Sequence, residues 1–281
     1  MSSDWSRPHY KPSPSRPSLF YLVFGEPPAS DALNISRVRH HVDRVQPELQ
    51  VSRHPRGQDP AWFDAWLSSA VGSDIGPVFG DGAAAVFAAQ HVTAVRGEFD
   101  DPDSLAYLRN TVGVVSAVTE AAAPVAILDA DSLTWWKPQD WRRRFVDESE
   151  FRIDDHVFIA VTDDPQAWPG LRTYTRGMRK FGRPELEIRH LPGEYAGTNP
   201  AIRDSGRILS GLANHLARGA VIEDGRTMYL AAYESTIVFF ESHGKAHSLE
   251  VCDINPDTGI SSDGASHLLE RMRVAGPGPR E

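Results

Sequence analysis

The chain has 281 residues and 41% hydrophobic side chains, enough to bury one large core or two modest ones. Its formal charge of −9 argues against a chain-wide nucleic-acid or anionic-membrane role, which needs a dominant basic surface. The single cysteine, Cys252, excludes an intrachain disulfide and a multi-cysteine zinc site, and no apolar run nears the roughly 18 residues of a membrane span.

Residues 1–18 hold Pro8, Pro12, Pro14 and Pro17 among Ser and Arg, a composition that predicts a disordered arm. The apolar run 19–24 is too short for a signal-peptide core and reads as the first strand of a cytoplasmic protein. A helix is expected over residues 30–45, with His40 and His41 solvated on it. A short helix follows at 61–67, where Trp62 and Trp66 share a face. Residues 72–82 read as loop, and 83–89 and 91–95 as strands. Asp101-Pro102 predicts a helix start, followed by Leu105, Leu108, Val112, Val115 and Val118 at helical period. Residues 125–128 form a buried strand, completing a strand–helix–strand unit. Trp135, Trp136 and Trp141 read as core aromatics beside arginines.

The acidic stretch 147–155 marks the expected boundary between halves. Residues 156–161 predict a strand covered on both faces. Leu171, Tyr174, Met178 and Phe181 then fall at i, i+3, i+7 and i+10, which predicts a helix stopped by Gly182 and Pro184. Arg172, Arg176, Arg179 and Arg183 would line its opposite face, with Gly177 in its middle. A half-buried strand is expected at 186–191, then a helix opened by Asn199-Pro200 and closed by Gly219. A hairpin around Asp224-Gly225, strands at 235–241 and 248–254, and a short helical stretch at 267–272 complete the pattern. The fold class is therefore α/β or α+β, mixed sheets with helices packed on them, open to an arrangement of two similar lobes. The limits read as an arm (1–18), an N-terminal lobe (19–147), a C-terminal lobe (148–255) and a mostly polar tail (256–281).

Phosphate-loop, dinucleotide-fold, His-Glu-x-x-His and Gly-x-Ser-x-Gly signatures are all missing from the sequence. No metal site or cofactor is expected: His243 and His247 lie four apart but between strands, and Cys252 reads as a small core residue. The arginine stripe is the one feature that packing does not explain. Like charges repel unless an anion answers them, and the answer is either internal carboxylates or an anionic ligand or partner.

The run Thr175-Arg-Gly-Met-Arg-Lys-Phe-Gly-Arg-Pro-Glu-Leu186, with the later Gly219-Ala-Val-Ile-Glu-Asp-Gly225, resembles a motif pair of uncharacterised bacterial domain-of-unknown-function proteins. The resemblance covers about residues 157–230. It implies bacterial origin and a cytosolic α/β domain, and it carries no activity, cofactor or catalytic residue.

The acidic chain, the missing catalytic signatures and the basic face beside aromatics favour a non-enzymatic module that binds another protein, of accessory or immunity type. The alternative is an enzyme or binding protein for a small anionic ligand held by Arg172, Arg176 and Arg179, with Arg183 beside them.

Overall fold

The computed structural model describes residues 5–29, 33–148, 150–163, 170–192, 199–231, 234–241, 247–255, 259–260 and 265–275. It is an α+β protein whose chain divides into two compact units. The first unit comprises residues 1–8, 12–152 and 179–182, and the second comprises 9–11, 153–178 and 183–281.

In chain order the first unit contains β1 (Ser18–Glu26), β2 (Gln50–Pro55), α1 (Pro60–Ser68), α2 (Ile75–Phe79), α3 (Ala83–Phe87), β3 (His91–Glu98), α4 (Ala106–Ala121), β4 (Ala123–Asp129), β5 (Thr134–Trp136) and α5 (Pro138–Arg142). Its sheet has the order β2-β3-β1-β4-β5, with every neighbouring pair antiparallel. β1 therefore lies between β3 and β4, the two strands that α4 connects. Because side chains alternate across a strand, β1 feeds two cores. Leu22 and Phe24 pack with Phe63, Leu67, Ile75, Phe79 and Val86 from α1 to α3. On the opposite face Tyr21 packs edge-to-face against Trp141, whose indole N–H donates to Ser116 of α4 at 3.0 Å. Trp135 is likewise buried and donates to the Val71 carbonyl at 2.8 Å, so two of the three tryptophans are core residues.

Several sequence expectations fail here for identifiable reasons. No helix forms among the described residues of 30–45, and residues 30–32 lie outside the described set. His40 is buried rather than solvated, accepting from Ser36 N at Nδ1 and bonding Glu120 at 3.0 Å through Nε2. Residues 72–82 form short helical turns, and the alanine-rich 83–87 segment is helix α3. Alanine's high helix propensity outweighs the local β-like pattern. Asp101 does not open α4. Its carboxylate accepts instead from Arg7 at 2.7 Å and from Ser13 N at 2.8 Å. These bonds, with buried Trp5 and Arg7, hold much of the N-terminal segment against the first sheet's unit and correct the expected disorder of residues 5–18.

The second unit contains β6 (Phe158–Asp163), β7 (Leu171–Arg176), β8 (Glu185–Leu191), α6 (Pro200–Ala217), β9 (Thr227–Leu230), β10 (Ser235–Glu241), β11 (Ser248–Asn255), β12 (Gly259–Ile260) and α7 (Ser266–Ala275). The strand order is β6-β7-β8-β11-β10-β9, with β12 beside β11, and the β8–β11 pair alone is parallel among the described pairings. α6 starts at an Asn199 cap whose side chain accepts from Ala201 N, with Pro200 at its first position, as the sequence predicts. It packs on β6, β7 and β8. β6 is an edge strand with exposed ends, not a strand covered on both faces. The hairpin joins β9 to β10, while Asp224-Gly225 lies before it.

The largest correction concerns residues 171–181. Leu171–Arg176 is strand β7, followed by a 3-10 helix at Met178–Phe181. Leu171, Thr173 and Thr175 are buried on one side of β7, and Arg172, Tyr174 and Arg176 occupy the other. Gly177 has φ of +114°, a conformation that suits glycine at the turn out of the strand and not the middle of a helix. Gly182, at φ +61°, ends the 3-10 helix as expected of a stop residue.

Candidate functional site

The four arginines of the sequence reading do not form one face. Arg172, on β7, pairs with Glu187 of β8 at 2.5 Å, and its guanidinium lies 4.1 Å from the Tyr174 ring centroid. Glu187 also receives Arg189, which reaches Glu250 of β11 at 3.3 Å. Arg172, Glu187 and Arg189 are all buried, so this is an internally answered charge network. Arg176 is exposed at the end of β7 and sits 5.4 Å from the same Tyr174 ring. Arg183 is a clamp: its Nε donates to the Ala220 carbonyl at 2.8 Å, and Nη2 donates to the carbonyls of Lys11 and Gly219 at 2.9 and 3.1 Å. These three belong to the second unit, and Arg179 to the first.

The Thr175 to Glu185 segment has its own local logic. Glu185 accepts from the Thr175 hydroxyl at 2.7 Å and from the N–H groups of Gly177 and Met178, both at 3.0 Å. Burial raises its carboxyl above the usual range despite these three donors. The same Thr175 oxygen accepts from Leu186 N at 2.8 Å. Thr, Gly and Glu at these positions thus fix the turn between β7 and β8.

Arg179 is placed by its neighbours. Lys180 is fully buried and ion-paired with Asp129 at the end of β4, and its carbonyl accepts from the Tyr107 hydroxyl at 2.7 Å. Arg7 donates to the Phe181 carbonyl at 3.2 Å. With residues 180 and 181 held in this way, exposed Arg179 lines a cleft of about 520 Å³ at one end of the first sheet.

The cleft is built by strand register. Gln50 of β2 faces Arg96 of β3, Arg96 faces Phe20 of β1, and Glu98 faces Ser18, so these side chains share one sheet face. Arg16, Glu48, Asp131 and Arg179 complete its charged lining. Asp131 is set by the turn after β4, where Asp129 Oδ1 accepts from the N–H groups of Asp131 and Ser132, both at 3.2 Å. Asp131 Oδ2 in turn accepts from Phe20 N at 2.8 Å. Burial, and then the charge of Asp129, push the Asp131 carboxyl up to about 7, with Lys180 and Arg179 opposing the shift.

The charges in the cleft are unevenly answered. Arg16 pairs with Glu98 and Asp100, both at 3.1 Å. Among the described residues the Arg96 guanidinium donates to the neutral Gln50 amide oxygen, at 3.1 and 3.3 Å. Among the described residues neither Arg96 nor Arg179 has a carboxylate within 4.0 Å. Arg96, Glu48 and Asp131 escaped the sequence reading because their convergence depends on register and on a turn, neither of which is local.

Cys252 is buried, and its thiol is pushed up to about 12 by burial and the neighbouring Glu250 charge, a poor setting for a nucleophile. The His243 of the considered metal pair lies outside the described residues. Among the described residues no group of three or more His, Cys, Asp or Glu could hold a metal ion, and no helix is long and apolar enough to cross a membrane. No family model, no curated protein and no solved structure matches this chain.

Proposed function

We propose that the protein binds a small anionic ligand in the cleft of its first unit, with Arg179 and Arg96 supplying the positive charge. The observation that carries this reading is a pair of guanidinium groups that, among the described residues, have no carboxylate partner in one cleft, in a chain with a net charge of −9. Both guanidinium groups are exposed and hydrated, so the fold tolerates them unpaired and their donors stay open to an anionic ligand. Arginine's forked donors suit carboxylate and phosphate. The cleft volume of about 520 Å³ falls in the range of about 300–1,000 Å³ usual for small-molecule sites. Of the arginines the sequence offers for an anionic ligand, Arg179 stays and Arg96 joins it; Arg172 and Arg183 are internally engaged, and exposed Arg176 is absent from the cleft lining.

Phosphate, nucleotide and carboxylate compounds are expected to raise the melting temperature, since a ligand that binds only the folded state stabilises it. Arg179→Ala and Arg96→Ala should each remove most of that rise. An unchanged melting temperature across a broad anion panel would overturn the reading.

A second reading is a non-enzymatic, cytosolic protein-interaction module. It is favoured by strand β2, which lies at the edge of the first sheet and exposes Val51. An open edge offers backbone donors and acceptors to an added strand. A partner that engages β2 would be lost on Ser52→Pro with the anion response preserved.

A further inference from the structure

The cleft is not uniformly positive. Of its charged lining, Arg16 and Glu98 answer one another at 3.1 Å. The four that remain are two of each sign: Arg96 and Arg179, Glu48 and Asp131. Exposed Glu48 has no cation within 4.0 Å among the described residues. Asp131 Oδ2 is engaged by the Phe20 N–H at 2.8 Å, which fixes the carboxyl and leaves Oδ1 available. A simple anion held by the arginines would leave Glu48 and Asp131 unanswered.

We infer that the ligand is dipolar: a small molecule carrying an anionic group and an ammonium close together, as in a free amino acid. The inference rests on the anion-binding reading above and adds the second pole. The anionic group would lie between Arg96 and Arg179, and the ammonium would donate to Asp131 and Glu48. Each pole then answers charges that the fold leaves open: Arg96 is set by strand β3, Arg179 by the 3-10 helix, Asp131 by the turn after β4 and Glu48 by the turn before β2.

The surroundings of Asp131 give this arrangement a distinctive pH response. The groups that face it are Asp129 from β4, Tyr21 and the Phe20 N–H from β1, and Lys180 and Arg179 from the 3-10 helix. Lys180 is committed to Asp129, so it does not act as the ion-pair partner of Asp131. An ammonium would be that partner. Ionised Asp131 attracts an ammonium and repels an anion. Affinity for a dipolar ligand therefore climbs as pH rises from about 6 to about 8, while affinity for an N-acetyl amino acid, a monoanion throughout, falls over the same interval.

The test is calorimetric titration of the full chain with matched probes: free L-amino acids, their N-acetyl forms, their amides, and inorganic phosphate. The expected result is a free amino acid that binds roughly tenfold or more tightly than either blocked form, the scale of one lost charge-assisted hydrogen bond. Asp131→Asn, which keeps an acceptor for Phe20 N, and the surface change Glu48→Gln should each weaken that ligand and leave phosphate no weaker. N-acetyl forms binding as well as the free amino acid, with affinity falling as pH rises, or phosphate matching the free amino acid at about pH 6, would overturn the dipolar inference and leave the anion reading standing. Amides binding as well as free acids, or no probe binding at all, would overturn the anion reading itself and the inference with it.

Discussion

Arg172 and Arg179 are seven residues apart in sequence and have opposite fates. Arg172 is buried in the second unit, held by Glu187 at 2.5 Å and by the face of Tyr174. Arg179 is exposed in the first unit and lines a cleft with no carboxylate within ion-pair distance among the described residues. An arginine's availability is set by what the backbone brings beside it, not by its place in a charge pattern. A strand with a parallel or antiparallel neighbour on each side supplies partners every second residue. A short 3-10 turn, anchored through the next residue's buried lysine, supplies none.

Three changes probe this contrast. The largest effect is expected from Glu187→Ala, which leaves Arg172 and Arg189 buried without the carboxylate they share. Breaking a buried ion pair from one side costs about 3–5 kcal/mol, so chemical denaturation should show a loss on that scale. A loss below about 1 kcal/mol would mean that the network is solvated and the contrast is weaker than described.

An intermediate, pH-dependent effect is expected at Asp131. Its folded-state carboxyl titrates near 7 against an ordinary value of 3.8, so the folded state holds a proton that the unfolded chain releases. The stability linked to this proton is fully present below about pH 4 and is lost as pH rises through about 7. Asp131→Asn should be neutral near pH 3 and increasingly stabilising toward pH 8, a difference read from melting curves across that range. An unchanged gap at all pH values would remove Asp131 as the titrating group.

The smallest effect on stability belongs to Arg179→Ala, within about 0.5 kcal/mol, as is usual for a surface side chain with no structural partner. Its effect on the anion-induced melting shift should nonetheless be large. A variant that loses stability and ligand response together would place Arg179 among structural arginines such as Arg172.

How much of this was legible in the sequence depends on the range of the interaction that decides it. The cap and stop of α6 were legible, because Asn199, Pro200 and Gly219 act on their own neighbours. Leu108, Val112, Val115 and Val118 of α4 were legible from their period, whereas the burial of nearly all of Tyr107 to Val118 was not. Residues 171–181 misled because Leu171, Tyr174, Met178 and Phe181 fit a helical period by coincidence. The better signal was Thr173 and Thr175, β-branched residues alternating with Arg172, Tyr174 and Arg176 in the period of a strand. Asp101-Pro102 had the local form of a helix start, yet the tertiary pull of Arg7 won. The cleft was not legible at all, since Asp131, Arg96 and Glu48 meet Arg179 only through strand register and the Lys180–Asp129 pair.

The clamp at Arg183 bears on how the chain divides. The Lys11 carbonyl that it holds comes from a three-residue segment, 9–11, of the second unit, while residues 179–182 of the C-terminal half belong to the first. Neither half of the polypeptide, cut at the 152/153 boundary, contains the whole of its own unit. A piece beginning at Ile153 lacks one of the carbonyl acceptors of Arg183, and a piece ending at Arg152 lacks both Arg179 and the lysine that neutralises Asp129. For this chain, fusion or truncation at that boundary would carry over incomplete modules.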